Sequence, residues 1–399
     1  MKVHVLCPAS SVTGGPEALH QFVDAGQRLG FDMAMRYLPD DDPDPTPGVF
    51  RLYRPRVVRE VVDAPDSVVV VPETGPQLLL ELRHARRVLW WLSVEHFQSR
   101  AEAQRGAGLT GASALDFVFD PAQRVVHWAQ SEYARQWVAQ RGASARLLTD
   151  YVRDEIVDRA RALRDGPRED IIAYNPKKGL AFTQALMQVA PPNWRWVPIQ
   201  NMSPAEVAQL LATAKVYIDF GPHPGRDRIP REAALCGAVV ITNTQGSAGN
   251  AVDVPLPAAN KFDERHPMTV PQVLRRIAEA LDDHPRLAAE LLVHRVAHRV
   301  RLHRHAGDRA AAAIRVGEPE QGIAAFDDVT VLVAVRLREQ AGDVLLAHRQ
   351  RARIRRARAP RRRSEPRTTQ DTRSRELGGG SGNLDHRAQP VPVARTCAG

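Results

Sequence analysis

A chain of 399 residues has room for two ordinary domains with real cores, and 43% hydrophobic with 6% aromatic content is that of a globular protein. No stretch approaches the ~20 apolar residues of a membrane-spanning helix, and the apolar run in "MKVHVLCPAS" is too short for a secretory signal. The net charge of +9 suggests nucleic acid, but residues 301–399 hold 20 arginines against 11 acidic residues, leaving 35 of each sign before them. The body is neutral, so no specific nucleic-acid partner is expected. Cys7, Cys236 and Cys397 are few, odd in number and far apart, which suits a reducing cytoplasm and argues against disulfides or a metal cluster.

In chain order, "KVHVLC" reads as a strand. It is followed by a glycine turn and an amphipathic helix with Leu19, Phe22, Val23 and Leu29 at helical spacing. Ser11 or Thr13 would begin the cap, with Pro16 at the first helical position. "FDMAMRYL" is a strand, "PDDDPDPTPG" a solvated loop, and "DSVVVVPET" and "RRVLWWLSV" are buried strands. "VVHWAQSEYARQWVAQRG" gives a strand and then a helix from near Ser131, and "ARLLTDYV" another strand. Continuous β-branched runs separated by helices mark parallel sheets covered on both faces.

A second alternating set follows: "DIIAYNP", the helix "GLAFTQALMQV", "WRWVPIQ", the helix "SPAEVAQLLATA", "AKVYIDF", a charged loop with a short helix, and "GAVVIT". The prediction is an α/β protein of two Rossmann-like, doubly wound domains, 1–150 and 151–300, facing a cleft. Residues 301–399 form an Arg/Ala-rich tail with no lysine. It reads as irregular or disordered, or as the product of a GC-rich gene translated out of frame.

Three turns could carry chemistry. Gly14 and Gly15 stand between the first strand and helix, where backbone N–H groups can meet an anion, although a tight βα turn also needs glycine. "YNPKKG" repeats the geometry at the start of the second half. Lys177 and Lys178 are two of only five lysines, and a cation beside a helix N-terminus suits a diphosphate. Neither turn is a dinucleotide fingerprint or a P-loop. The third turn is "GPHPGRDRIPREAALCGAVVITN", Gly221 to Asn243. It puts His223, Arg226 and Arg228 on a loop at the C-terminal edge of "VYIDF", where open α/β sheets bind ligands, and Glu232 at the start of a short helix.

Taken together, the glycine turn after strand one, "SEYAR", "KKG" and "PREAALCGAVVITN" resemble nucleotide-sugar glycosyltransferases of the GT-B fold. The likeness is to the large retaining group that includes glycogen synthase and sucrose synthase. It spans about residues 1–290 and is firmest over 215–243. In that group a lysine of a K-G turn binds the donor diphosphate. The second glutamate of a Glu-X7-Glu loop binds the donor ribose. By position these are Lys178 and Glu232. Two departures stand out. Pro224, beside His223, occupies the place of the first glutamate, and Tyr174-Asn175 replaces the "GR" whose arginine accompanies the lysine.

The resemblance implies a metal-independent, retaining hexosyltransferase without cofactor, acting in bacterial polysaccharide or glycoconjugate assembly. Gly14, Gly15, Asn175, Lys178, Arg226, Arg228 and Glu232 would hold the donor. Glu95 or His96, in "WWLSVEHF", would orient the acceptor hydroxyl at a strand end, and the loop "TNTQGSAGN" would stand in for the missing glutamate. A lipid-linked acceptor would bring the chain to a membrane surface. A non-catalytic GT-B-like binding protein and a GT-B-fold nucleotide-sugar epimerase are the alternatives. Asp42 and Asp44 form a DxD, but in a proline-broken solvated loop, and no metal site is expected.

Overall fold

The computed structural model describes residues 1–109, 115–163 and 166–291, all within one compact unit; the predicted tail lies outside the described residues. The first half is built on β1 (Lys2–Pro8), α1 (Gly14–Arg28), β2 (Asp32–Leu38), β3 (Ser67–Pro72), β4 (Arg86–Trp91), α2 (Val94–Gly106), β5 (Val126–Ala129), α3 (Glu132–Ala139) and β6 (Ala145–Leu147). Its strands form a six-stranded parallel sheet in the order β2-β1-β3-β4-β5-β6. The second half comprises α4 (Asp154–Leu163), β7 (Glu169–Tyr174), α5 (Leu180–Val189), β8 (Arg195–Pro198), α6 (Pro204–Thr213), β9 (Ala214–Asp219), α7 (Ile229–Cys236), β10 (Val239–Asn243), β11 (Lys261–Phe262) and α8 (Thr269–Asp282). It forms a five-stranded parallel sheet, β11-β10-β9-β7-β8.

Local sequence explains these elements. All six residues of β3, "SVVVVP", are buried, as a central parallel strand requires. Apolar layers cover both faces of each sheet. On the first sheet one layer is centred on Phe22, Trp90 and Trp128 and the other on Trp91, Phe97 and Trp137. On the second sheet Tyr217 and Ile156 belong to one layer, Phe220 and Ile277 to the other. A full capping box, Ser203 with Glu206, starts α6. Helix α4 packs on α6 and α7, joining the second core.

Both sheets reverse direction of strand order at an equivalent place, between β1 and β3 and between β7 and β9. Ligand crevices of open α/β sheets lie outside the C-terminal strand ends at such switch points. The segments leaving those four ends carry Gly14 and Gly15, Glu73, Asn175 and Lys178, and the loop from Gly221 to Arg228.

Three local expectations are corrected. Strand β4 ends at Trp91, and Glu95 and His96 lie in the first turn of α2, not at a strand end. Ser93 Oγ accepts from His96 N at 3.2 Å and caps that helix. Helix α7 begins at Ile229 with Pro230 in its first turn, so Glu232 follows its start by three residues. Thr13 is the N-cap of α1 without a side-chain capping bond, and Pro16 is its third residue.

Candidate functional site

A cavity of about 370 Å3 opens between the strand ends of the two halves. From the first half Gly14, Gly15, Glu73, Ser93 and His96 line it; from the second come Pro224, Gly225, Arg226, Asp227 and Arg228. Five of the nine sequence-predicted site residues thus share one cavity: Gly14, Gly15, His96, Arg226 and Arg228. Asn175, Lys178, Glu232 and Glu95 do not line it.

The loop between β9 and α7 is held from both sides. Pro224 O accepts from Val94 N of the first half at 3.1 Å, and a Cβ on Gly225 would overlap the Leu92 carbonyl, so only glycine allows that approach. On the other side His223 O accepts from Ser247 N at 3.0 Å, and Gly225 O accepts from Ser247 Oγ at 2.5 Å. The "TNTQGSAGN" loop therefore braces the arginine loop through its backbone.

Charge is assembled across the halves. Arg228 makes an ion pair with Glu17 in the first turn of α1, and Arg153 bonds the same carboxylate. Tyr53 Oη donates to Glu17 Oε1 at 2.8 Å. Burial alone would push the Glu17 carboxyl up, but Arg228 and Arg153 bring it down to about 2. Arg231 makes a two-oxygen pair with Asp150 at 2.8 and 2.7 Å. Asp253 accepts from Glu132 N at 2.7 Å and Tyr133 N at 2.8 Å, capping α3 from the other half. Gln21 accepts from Tyr151 N at 3.0 Å and donates to Tyr151 O at 2.9 Å.

Lys178 is less available than its turn position implied. Its Nζ lies 2.9 Å from Asp219 Oδ1, 2.6 Å from Asp227 Oδ2 and 3.2 Å from His223 Nδ1. Burial works against its charge, but the two aspartates outweigh it and raise its pKa. The ligand atoms of Asp219, His223 and Asp227 stand within 4.8 Å of one another, a set that could hold a cation, and the Lys178 ammonium bonds both carboxylates. The i, i+4, i+8 spacing of those three residues was the overlooked signal. Asn175 Oδ1 accepts from Lys177 N at 3.1 Å and shapes that turn.

Glu232, in the first turn of α7, is half-buried. Burial raises its pKa against the pull of Arg228 and Arg231. Glu95 turns toward α3: its Oε1 accepts from Tyr133 Oη at 2.8 Å, while Oε2 is buried with no hydrogen-bond partner among the described residues. His96 faces the cavity instead, with Nδ1 4.0 Å from Glu73 Oε1. Glu73 and Glu17 went unnoticed in the sequence, Glu73 because it follows an apolar strand, Glu17 because its arginine partners lie more than a hundred residues away.

No protein-family model matches the chain, and no curated protein sequence does. Solved structures match it. Sucrose-phosphate synthase from Thermosynechococcus elongatus is 13% identical with a TM-score of 0.50, covering 78% of this chain and all of that one. HepE of Anabaena, solved in complex with UDP-glucose, is 12% identical with a TM-score of 0.50, covering 87% of this chain and all of its own. Among the described residues no helix is long and apolar enough to cross a membrane. With two parallel α/β sheets, three of whose four switch-point loops meet at one cavity, the chain has the GT-B fold.

Proposed function

We propose that the protein transfers a sugar from a nucleotide-sugar donor to a hydroxyl acceptor. The observation that supports this is the meeting, on one cavity, of the uncapped N-terminus of α1 at Gly14 and Gly15 with Arg226 and Arg228 of the opposite half. The free N–H groups of a helix start favour an anion, and guanidinium groups complement phosphate oxygens. Fixed donors of this kind stabilise the charge that grows on a departing nucleoside diphosphate, without reorganisation as the bond breaks. That HepE is seen with UDP-glucose on the same fold supports a nucleotide-sugar donor.

Within this reading the donor diphosphate sits between the α1 start and the arginine loop, and Glu232 takes the ribose. The acceptor enters beside His96. The chemistry is metal-independent, the positive charge being supplied by side chains and helix dipole. Retention at the anomeric carbon, a hexosyl donor and a glycan acceptor of bacterial polysaccharide assembly, lipid-linked or free, follow the sequence resemblance.

Calorimetric titration of UDP, ADP and GDP, followed by incubation with the glucose and mannose derivatives of the nucleotide that binds, tests the reading. Binding of one nucleoside diphosphate and its release from a sugar nucleotide are expected. A protein that binds none of the three, and releases none, does not carry this activity.

A further inference from the structure

Glu73 has no part in the donor site just described, yet it lines the same cavity. It follows β3 at the switch point of the first sheet, is 2% exposed, and its Oε2 accepts from Leu92 N at 2.9 Å. Its Oε1 lies on the His96 side. Three carboxylates line the cavity, and their circumstances differ. Asp150 is bonded by Arg231, and Asp227 by Lys178 and His223. Among the described residues Glu73 has backbone N–H groups and no lysine or arginine in contact: His96 Nδ1 is 4.0 Å away, and Arg100, on α2, bonds the Thr74 carbonyl.

A diphosphate drawn into this cavity by Arg226 and Arg228 would therefore meet one carboxylate that no lysine or arginine among the described residues pairs. Like charges in a water-poor space cannot both persist, and the group with the weaker support is neutralised. We propose that Glu73 enters the anion-bound state as a neutral carboxylic acid and donates a hydrogen bond to the bound diphosphate. The proton comes from solvent: one carboxylate takes up one H+ as the anion enters, and no other bond changes. A hydrogen-bond donor replaces a repelling charge, and Oε2 still accepts from Leu92 N when the carboxyl is neutral. Burial already pushes this carboxyl up to about 7, against its backbone hydrogen bonds and the Arg100 charge, so the uptake falls near neutrality.

This inference rests on the diphosphate reading above, and its test is chosen to fail separately. Titrate the full chain with UDP, ADP, GDP and inorganic pyrophosphate from pH 7 to 9, in buffers of different ionisation enthalpy. A terminal phosphate of a nucleotide ionises at about pH 6, below this window, so the nucleotides give the proton count; inorganic pyrophosphate has its last ionisation within the window and serves only for affinity and the infrared spectrum. The wild type should take up close to one proton per anion at the upper end. Its affinity should fall about tenfold per pH unit once the free carboxyl is ionised. Glu73→Gln, which keeps an acceptor for Leu92 N, should bind with no proton uptake and a flat pH profile. A protonated-carboxyl band appearing in the infrared difference spectrum on pyrophosphate binding reads the same event in the wild type, should the variant not fold. Binding without proton exchange, or uptake that survives Glu73→Gln, overturns the inference and leaves the nucleotide site standing. A wild type that binds none of the four anions overturns both.

Discussion

Arg228, on the loop leaving the second sheet, and Glu17, in the first turn of α1, form a buried ion pair that joins the two halves of the molecule. Each has further partners, Arg153 and Tyr53 on Glu17 among them, so the pair is the centre of a network. Its place explains why α1 is buried along most of its length and still carries Glu17, His20, Gln21 and Asp24. A charged group so enclosed persists only when its partners are fixed beside it.

Glu17→Ala should therefore destabilise the protein by about 3–5 kcal/mol in a urea melt, because it strands two guanidinium groups. Glu17→Gln should cost less. The pH dependence has a definite sign. The folded-state pKa, about 2, lies below the ordinary value of 4.5, so the stabilisation is complete above pH ~4.5 and lost as pH falls toward 2. A wild type and Glu17→Gln whose stabilities run parallel between pH 5 and 2 would show that the pair contributes nothing.

Lys178 carries a different expectation from a solvated turn lysine. Lys178→Met should destabilise by about 3–5 kcal/mol, since Asp219 is left buried beside the Tyr217 hydroxyl at 3.0 Å without its cation. Adding Asp219→Asn should restore much of that loss. The double variant then isolates the other role: if the ammonium also meets the donor diphosphate, nucleotide affinity should fall by about 1.5–3 kcal/mol in the refolded protein. Undiminished affinity there would confine Lys178 to holding Asp219 and Asp227.

Much of the fold was legible because its signals are local. Four valines in β3, helical spacing through Leu19, Phe22 and Val23, and Ser203 before Glu206 are each read within a few residues. Helix α2 escaped because only Val94, Phe97 and Ala101 of its thirteen residues are buried, too sparse a stripe to show a period. Of the site, the glycine turn and the arginine loop were legible because strand ends of a parallel sheet predict where loops gather. The pairings Glu17–Arg228 and Arg231–Asp150 span 211 and 81 positions, and nothing in a local window announces them. Lys178 stood out as a rare residue beside a helix start, but its two aspartates lie 41 and 49 positions away along the chain.

Asp253 supplies the N-terminus of α3 with both of its carboxylate oxygens, from the other half of the molecule. Asp253→Ala leaves two half-buried N–H groups without acceptors and should cost about 1–3 kcal/mol by denaturant titration, with Asp253→Asn recovering part through its one carbonyl oxygen. Equal stability of wild type and Asp253→Ala would mean that water replaces the cap.

Turnover should survive EDTA, because the charge that meets the donor is built from Arg226, Arg228 and the start of α1. Release of nucleoside diphosphate is the readout, before and after chelation. Activity lost on chelation and restored by Mn2+ or Mg2+ would place a cation on the Asp219, His223 and Asp227 set, or in the Asp40–Asp44 loop.

Glu232 offers the sharpest test of donor recognition. It stands in the first turn of α7, just past the switch-point loop of the second sheet, and Arg228 and Arg231 act on its charge. Among the described residues no group donates a hydrogen bond to its carboxylate, whereas the carboxylates of Glu17, Asp150 and Asp253 are each bonded. A carboxylate with both oxygens open can accept two hydroxyl hydrogen bonds, which is what the adjacent 2′- and 3′-hydroxyls of a ribose present. Wild type should therefore prefer a nucleoside diphosphate over its 2′-deoxy form, by about 1.5–3 kcal/mol for one lost hydrogen bond to a charged group. Glu232→Ala should bind both forms with similar, weakened affinity, and its stability should change little because no protein donor loses a partner. Calorimetric affinities for the two nucleotides on the two proteins decide it. If the wild type binds ribose and deoxyribose forms alike, Glu232 serves the helix start alone and the ribose is held elsewhere.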